Sequence, residues 1–294
     1  MKGKIVIAGG TGFLGNYLHE KFSPLGYQVE IISRSHGISW DDTAKLHETI
    51  NGSLAVINLA GKSVNCRYTE SNKQEILGSR IRTTKRLGEI IAACDKPPEV
   101  WFNSSTATIY RDEKERANNE YDGIAGDGFS VNVAKQWEAT FNSFDLPHTR
   151  RIVMRISIVL GKDGGVFPVY KNLVRFGLGG RQGSGKQMFS WIHIEDVFRI
   201  IRFALENNTF SGPVNMAAPH PVDNTELMRL LRKAFHMPIG LPSYAWMLKI
   251  GAFVIGTETE LILKSRWVKS KKLEEQQFQF TYPTLEEALA ELTS

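Results

Sequence analysis

The sequence is poor in the features that define several large protein classes. Its 294 residues include only two cysteines, Cys66 and Cys94, which cannot supply a disulfide framework or a zinc-ligand set, so a reducing compartment and no metal site are expected. The most apolar late stretch, residues 245–256, is interrupted by Lys249 and is far shorter than a membrane span. We expect this stretch to form a packed helix, and we expect no membrane partner.

Charge and terminal signals exclude other classes. The net charge is +5, yet the basic residues are scattered and no basic block is interleaved with aromatics, so no nucleic-acid partner is expected. Patterned structure begins at Lys4, and we therefore expect neither a signal nor a transit peptide and a cytoplasmic location. There is no internal repeat, and 42% hydrophobic with 23% charged residues are typical of a globular chain.

A glycine-rich turn in the first fifteen residues is the most informative feature present. A buried-strand run over residues 4–8 leads directly into Gly9-Gly10-Thr11-Gly12-Phe13-Leu14-Gly15. Glycines spaced three apart after a strand are typical of the strand-to-helix turn that receives a dinucleotide pyrophosphate, where helix N–H groups act as donors. The alternative is a turn without a ligand. The predicted cofactor contacts in this turn are Gly9, Thr11, Gly12, Phe13, Leu14 and Gly15.

The end of the next predicted strand indicates which dinucleotide binds. The second strand is predicted over Gly26–Ser35, and Arg34 stands near its end, where an NAD-binding protein carries an acidic residue for the adenosine ribose. A guanidinium can pair with a 2′-phosphate through two hydrogen bonds, and Ser35 offers a second donor. The sequence therefore predicts NADP(H) rather than NAD(H); the alternative is a solvated arginine.

Strand and helix patterns alternate through the first two-thirds of the chain. They predict an α/β fold with a Rossmann-type, doubly wound parallel sheet. An apolar run over residues 53–61 ends in Leu59, Ala60 and Gly61, at a strand end where cofactor contacts are expected. Further strands are predicted over 100–105 and 151–160, with helices over 71–94 and 131–144.

Beyond Gly161 the regular alternation gives way to a glycine-rich, irregular stretch. We predict an NADP(H)-binding core over residues 1–161, to which a strand near 213–217 returns. Residues 162–294 are predicted to form mainly a smaller C-terminal substrate lobe with closing helices.

Several motifs in order along the chain resemble those of the extended short-chain dehydrogenase/reductase superfamily, and within it the nucleoside-diphosphate-sugar epimerase-like family. The matching segments are 9–15, 58–61, 79–84, 104–110, 137–138, 190–196 and 278–283. The resemblance implies NADP(H) bound on an extended Rossmann core, with Ser104 and Arg80 near the cofactor. Arg67 and Arg80 follow the fourth strand near the ligand end of the sheet and are candidates to bind an anionic substrate or the cofactor phosphates. The partners considered are an unknown small-molecule substrate and a second copy of the chain in a homodimer.

The same resemblance implies a catalytic group that this sequence lacks. In active relatives a Ser or Thr, a Tyr and a Lys cooperate: the Tyr exchanges a proton with the substrate, while the Lys lowers its pKa and holds the nicotinamide ribose. Lys135 matches the Lys, but Val131 stands at the Tyr position one helical turn earlier. Tyr110 matches the tyrosine of the family's Ser-x-x-x-Tyr segment, and this match places Thr106 at the position of the catalytic Ser or Thr.

Three explanations of this departure stay open. In the first, Lys135 clamps the cofactor while Tyr110 or Glu120 supplies the proton for hydride transfer at a carbonyl or alcohol carbon of an unknown small molecule. In the second, the chain is a catalytically silent NADP(H) sensor or binding module. In the third, the alignment is shifted and Lys135 is a solvated lysine.

Two further polar residues receive structural interpretations. His193 lies in an apolar stretch, so a packed histidine bonded to backbone or to Asp196 is expected. Asp196 is predicted to cap the N-terminus of a helix over 197–205.

Overall fold

A computed structural model describes residues 2–113, 115–244 and 264–294. The apolar stretch 245–256 lies outside the described residues. The strands in the described part, in chain order, are β1 (Lys4–Ala8), β2 (Gln28–Ser33), β3 (Ile38–Ser39), β4 (Ala55–Asn58), β5 (Val100–Thr106), β6 (Arg150–Ile156), β7 (Ile158–Gly161), β8 (Gly164–Gly165), β9 (Met188–Phe189), β10 (Trp191–His193), β11 (Gly212–Met216) and β12 (Val222–Asp223).

Helices follow most of these strands. They are α1 (Phe13–Phe22), α2 (Thr43–Ile50), α3 (Glu70–Ala92), α4 (Phe129–Asn142), α5 (Phe167–Arg175), α6 (Ile194–Glu206), α7 (Asn224–Ala234), α8 (Lys271–Glu275) and α9 (Leu285–Thr293). Among the described residues, no helix combines the length and the apolar character that crossing a membrane requires.

The main sheet has seven strands in the order β11-β6-β5-β4-β1-β2-β3, and every neighbouring pair is parallel. Alternate residues of β1 enter different cores: Ile5 and Ile7 pack with Leu18 on one face, while Val6 and Ala8 pack with Leu46 on the other. A strand buried on both faces reads as a continuous apolar run, as β1 does. The predicted doubly wound α/β fold is confirmed.

The strand predicted over residues 151–160 is two strands. β6 ends at Ile156 and stays in the main sheet, whereas β7 begins at Ile158 and pairs with β10. Between them Ser157 donates from its backbone N–H (3.0 Å) and from Oγ (2.7 Å) to the carbonyl of Met216. The prediction of one strand was wrong because both pieces are apolar, and only the distant partner carbonyl marks the change of sheet.

The residues after β7 build a second core. Helices α5, α7 and α9 contribute Val174, Leu231 and Leu289 to an apolar cluster around Trp191 of β10. Strand β11 nevertheless returns to the main sheet and pairs in parallel with β6. The division at residue 161 stays a prediction.

Helix α6 begins earlier than the sequence suggests, and its cap is His193 rather than Asp196. Nδ1 of His193 accepts the N–H of Glu195 (3.2 Å), while its Nε2 faces the Glu291 carboxylate (3.0 Å). The Asp196 carboxylate, fully buried in the first turn, accepts the N–H groups of residues 281 and 282. The capping prediction was wrong because a tertiary contact with the C-terminal segment, invisible in local sequence, engages Asp196.

Candidate functional site

The turn between β1 and α1 depends on glycine for two different reasons. Gly9 has φ +79, and a Cβ there would lie 2.9 Å from Ala60 N; a Cβ on Gly15 would lie 2.6 Å from Gly10 Cα. Because these two residues lack a Cβ, the turn can pack closely against the backbone of neighbouring residues. At Gly12 the nearest atom to a Cβ is the Gly9 oxygen at 3.4 Å, an ordinary contact. Gly12 therefore leaves space that the described residues do not fill.

The start of α1 has donors available for an anion. Gly12 is the N-cap and supplies no side-chain bond, and the first turn carries no acidic residue. The unpaired N–H groups at a helix start, together with the helix dipole, favour a negatively charged group. The pyrophosphate role predicted for residues 9–15 requires donors of this kind, and that role stays a prediction.

Arg34 lies at the same edge of the sheet as the glycine turn. Strand β2 pairs with β1, and the Gly9 N–H donates to the carbonyl of Ile32 (2.8 Å), which places the end of β2 beside the turn. Ser33 Oγ accepts the N–H groups of Ser35 (3.2 Å) and of the residue after it, and so shapes the bend that carries Arg34. Arg34 is exposed and has no ion pair among the described residues.

A buried amide network fixes the end of β4 under the segment 59–61. Asn58 Nδ2 donates to Asn103 Oδ1 (2.7 Å) and to Thr84 Oγ1 (3.1 Å), and Asn58 Oδ1 accepts the N–H of Ala60 (3.1 Å). Trp137 Nε1 also donates to Thr84 (2.9 Å). These residues hold the strand end rigidly, and sequence reasoning assigned none of them except Ala60 to the site.

Arg80 is a cation held beside that strand end. One guanidinium nitrogen donates to the carbonyls of Lys62 (3.0 Å) and Ile76 (2.8 Å), and the guanidinium stacks on Trp137 at 5.0 Å from the ring centroid. A Cβ on Gly61 would lie 3.2 Å from the Arg80 side chain. Burial lowers the pKa of Arg80 to about 10, and no carboxylate in the described part of the chain pairs with it. An anion bound here would gain a charge-assisted bond.

The predicted hydroxyl and lysine lie on neighbouring elements. Thr106 ends β5, and its Oγ1 donates to Thr108 Oγ1 (3.0 Å) and accepts the Thr108 N–H (3.1 Å). Lys135 on α4 is exposed, and its Nζ donates to the carbonyl of Gly126 (2.9 Å). Val131, one turn earlier, is only 1% exposed. Thr106 is the N-cap of the 3₁₀ turn Ala107–Ile109, which contacts α4, the helix that carries Val131 and Lys135.

Tyr110 is engaged on both sides of its hydroxyl. Its Oη donates to Asn215 Oδ1 (2.9 Å) and accepts a bond from Arg155 (2.8 Å), while burial raises the pKa of the phenol. Glu120 accepts the Asn215 N–H (2.8 Å) and hydrogen bonds from the start of α8, Ser270 Oγ (2.5 Å) among them. Both predicted proton donors thus tie the loop after β5 to β11 and the C-terminal segment.

An ion pair that the sequence did not reveal lies next to Tyr110. Arg155 donates to both carboxylate oxygens of Glu138 (3.0 and 2.8 Å), and Ser105 Oγ donates to the same carboxylate (2.6 Å). Burial disfavours the charge on Arg155, but the bonds and charge of Glu138 outweigh it and raise the pKa of the guanidinium. The residues are far apart in sequence, so no local signal could have paired them.

Thr108 is a second hydroxyl that sequence reasoning missed. Arg266, 9% exposed, donates from Nε to Thr108 Oγ1 (3.2 Å), which also accepts the Thr106 hydroxyl. The Thr108 hydroxyl hydrogen has no acceptor among the described residues. A threonine hydroxyl carries one donor and two acceptor positions, so this hydrogen is available to a ligand oxygen.

Comparisons with known proteins find relatives over nearly the whole chain. The NAD dependent epimerase/dehydratase family model matches residues 5–128, and a domain of unknown function, DUF1731, matches residues 245–292. The epimerase family protein YfhF of Bacillus subtilis is 33% identical over 298 residues, covering 98% of this chain and 97% of that protein.

Solved structures show the same architecture. The human epimerase family protein SDR39U1 (isoform 2), crystallised with NADPH, is 31% identical with a TM-score of 0.89 and 99% coverage of both chains. A nucleoside-diphosphate sugar epimerase from Corynebacterium glutamicum is 26% identical with a TM-score of 0.81, covering 99% of this chain and 58% of that one. The resemblance identified from the sequence motifs is confirmed.

Proposed function

Since the chain belongs to the epimerase family, we propose that it binds NADP(H) and transfers a hydride between the nicotinamide and a carbonyl or alcohol carbon of a small molecule. The observation that carries this proposal is the glycine turn with open space at Gly12 and uncapped helix donors, next to Arg34, which has no ion pair within the described part of the chain. The NADPH in the human relative's structure supports the choice of cofactor.

Each part of the cofactor has a proposed set of contacts. The pyrophosphate lies on the turn 9–15 and the 2′-phosphate is paired by Arg34 and Ser35. One wall of the proposed cofactor site is formed by the segment after β4, Leu59, Ala60 and Gly61, together with the buried Ser104 of β5. Arg80 behind Gly61 offers a second cation to the cofactor or to an anionic substrate.

The bound cofactor supplies the hydride, and the protein's own residues orient the reactants. Lys135 can hold the nicotinamide ribose without losing its bond to Gly126, because an ammonium has three donors. Thr106 and Thr108 are proposed to bind the substrate oxygen, with the Arg266 charge strengthening the Thr108 donor. Tyr110 or Glu120 could transfer a proton only after exchanging the partners described above.

A second candidate function follows from the same residues. Val131 cannot transfer a proton, and Tyr110 and Glu120 are held by other groups. These observations favour a binding module that takes up NADP(H) and a small molecule without turnover. The two candidates share a cofactor site and differ only in chemistry.

Replacing Arg34 by Asp should reverse the cofactor preference. The unchanged protein is expected to bind NADPH at least several-fold tighter than NADH in calorimetric titrations. Loss of the charge-assisted bonds should weaken NADPH binding by about ten- to a hundredfold, and repulsion from the new carboxylate adds to this. NADH affinity should be kept or raised, since NADH has no 2′-phosphate and an acidic residue at this position can accept hydrogen bonds from its adenosine ribose. Equal affinities of the unchanged protein for both cofactors would refute the role of Arg34.

The Lys135→Ala variant distinguishes the two candidate functions, an enzyme and a binding module. In both cases NADPH binding should weaken several-fold, because the ribose loses an ammonium donor. In an enzyme, NADPH oxidation across a panel of carbonyl compounds and nucleotide sugars should also fall, and removal of the proton-transferring residue should lower it by about two to four orders of magnitude. Gln136→Ala, which alters the exposed neighbour, is the control. Unchanged NADPH affinity in Lys135→Ala would show that this lysine is merely solvated.

A further inference from the structure

The side chain of Phe13, the first residue of α1, packs against a glycine-rich hairpin in the C-terminal part of the chain. The hairpin is formed by β7 and β8, which pair antiparallel. A Cβ on Gly161 would lie 2.6 Å from Phe13 Cζ, and a Cβ on Gly164 would lie closer still to the ring carbon Cδ2. The ring thus occupies the volume that side chains at these two positions would need.

Space, and not backbone conformation, excludes side chains at Gly161 and Gly164. Neither residue has a positive φ, whereas Gly165 does (φ +66) and would also bring a Cβ within 2.6 Å of the Val159 carbonyl oxygen. Gly165 is therefore required by its own turn. At Gly164 all three nearest atoms to a Cβ belong to the Phe13 ring, and at Gly161 the ring is the nearest neighbour, followed by Ile194 Cγ2 at 3.3 Å.

The body of α1 is fixed independently of this contact. Tyr17 donates to the Glu195 carboxylate (2.5 Å) and Lys21 pairs with it (2.7 Å), which ties the middle of α1 to the start of α6. A push on the Phe13 ring therefore cannot be relieved by sliding the whole helix. We expect the displacement to be concentrated at the start of α1, in residues 13–15, whose N–H groups are the proposed pyrophosphate donors; the Gly12 N–H already donates to the carbonyl of Gly9 (3.1 Å).

We propose that Gly161 and Gly164 are positioning residues for the cofactor, because they seat Phe13 and thereby set the donors of the turn 12–15. This inference rests on the proposed NADP(H) binding. Binding groups must be held within about 0.5 Å of their working geometry, so a shifted ring costs affinity. By linkage, bound cofactor must stabilise the hairpin as much as the hairpin stabilises the bound cofactor.

The test is a double-mutant cycle between Gly164→Ala and Phe13→Ala, with NADPH affinity measured by fluorescence titration. Gly164→Ala alone should weaken NADPH binding by about tenfold, and by less than about twofold in the Phe13→Ala background, because contacting residues couple. The matched control is Gly179→Ala in the same part of the chain, where a Cβ would meet the flexible Arg232 side chain at 3.0 Å. Gly179→Ala should leave NADPH affinity unchanged.

Equal losses from Gly164→Ala in both backgrounds would overturn the proposal, as would full NADPH affinity in a folded Gly164→Ala protein. If Gly164→Ala does not fold, Gly161→Ala replaces it in the cycle. Hydrogen exchange of the unchanged protein gives an independent outcome: NADPH should slow exchange of amides 161–165 several-fold, and unaltered exchange contradicts the proposal. If the unchanged protein does not bind NADPH at all, the proposed function itself fails.

Discussion

A Gly12→Val variant is expected to keep its fold and to lose NADPH binding. The structure accepts a Cβ at Gly12, because its nearest neighbour would be the Gly9 oxygen at an ordinary 3.4 Å. The branched methyl groups of valine would extend into the space where the pyrophosphate approaches the turn. We expect affinity to fall by more than about a hundredfold in calorimetry, roughly the value of two charge-assisted hydrogen bonds.

Gly15→Ala is the contrasting control for this prediction. Its Cβ would meet backbone atoms of Gly9 and Gly10 at 2.6 Å, so the strand-to-helix packing itself must give way. We therefore expect Gly15→Ala to lower the melting temperature, whereas Gly12→Val should leave it nearly unchanged. A folded Gly12→Val protein that binds NADPH with full affinity would show that the turn is only structural.

The glycine turn and the sheet could be predicted because their signals are local. Residues 4–15 carry the strand, the turn and the helix start within one short segment, and the apolar run ending at Ala60 marks a buried strand by itself. Tertiary structure adds the reason for each glycine. It shows that Gly9 and Gly15 are required by neighbouring backbone, while Gly12 is not.

The polar groups around β6 could not be predicted, because each is defined by a partner far along the chain. Tyr110 was expected to serve as a proton donor from its position in a motif, but its hydroxyl is held by Arg155 and Asn215. Glu120 was expected to act from a loop, and its carboxylate accepts the N–H of Asn215. Thr108 lies two residues beyond the motif position Thr106. What marks it as part of the site is its hydrogen bond from Arg266, which lies far along the chain.

Neutralising Glu138 should destabilise the fold more than any comparable change at an exposed ion pair. Glu138→Gln would keep the size of the side chain but turn an NH2 group toward the Arg155 guanidinium, leaving a buried cation with one acceptor lost. The side chains of Arg155 and Glu138 are 15% and 11% exposed. Breaking a buried pair of this kind costs about 3–5 kcal/mol, measurable as a lower urea midpoint at unchanged slope.

The matched control is Glu226→Gln, which breaks the exposed pair with Arg229 (side chains 40% and 54% exposed) and should lower stability far less, because solvent screens this pair. Equal losses in the two variants would show that Glu138 and Arg155 gain nothing from burial. The Glu138→Gln protein also tests the role of Tyr110, because Arg155 holds the phenol oxygen. If the Tyr110 phenol only ties the loop to β6 and β11, this variant should lose stability and keep its NADPH affinity, since β4 and β5 separate β6 from β1, which leads into the turn 9–15.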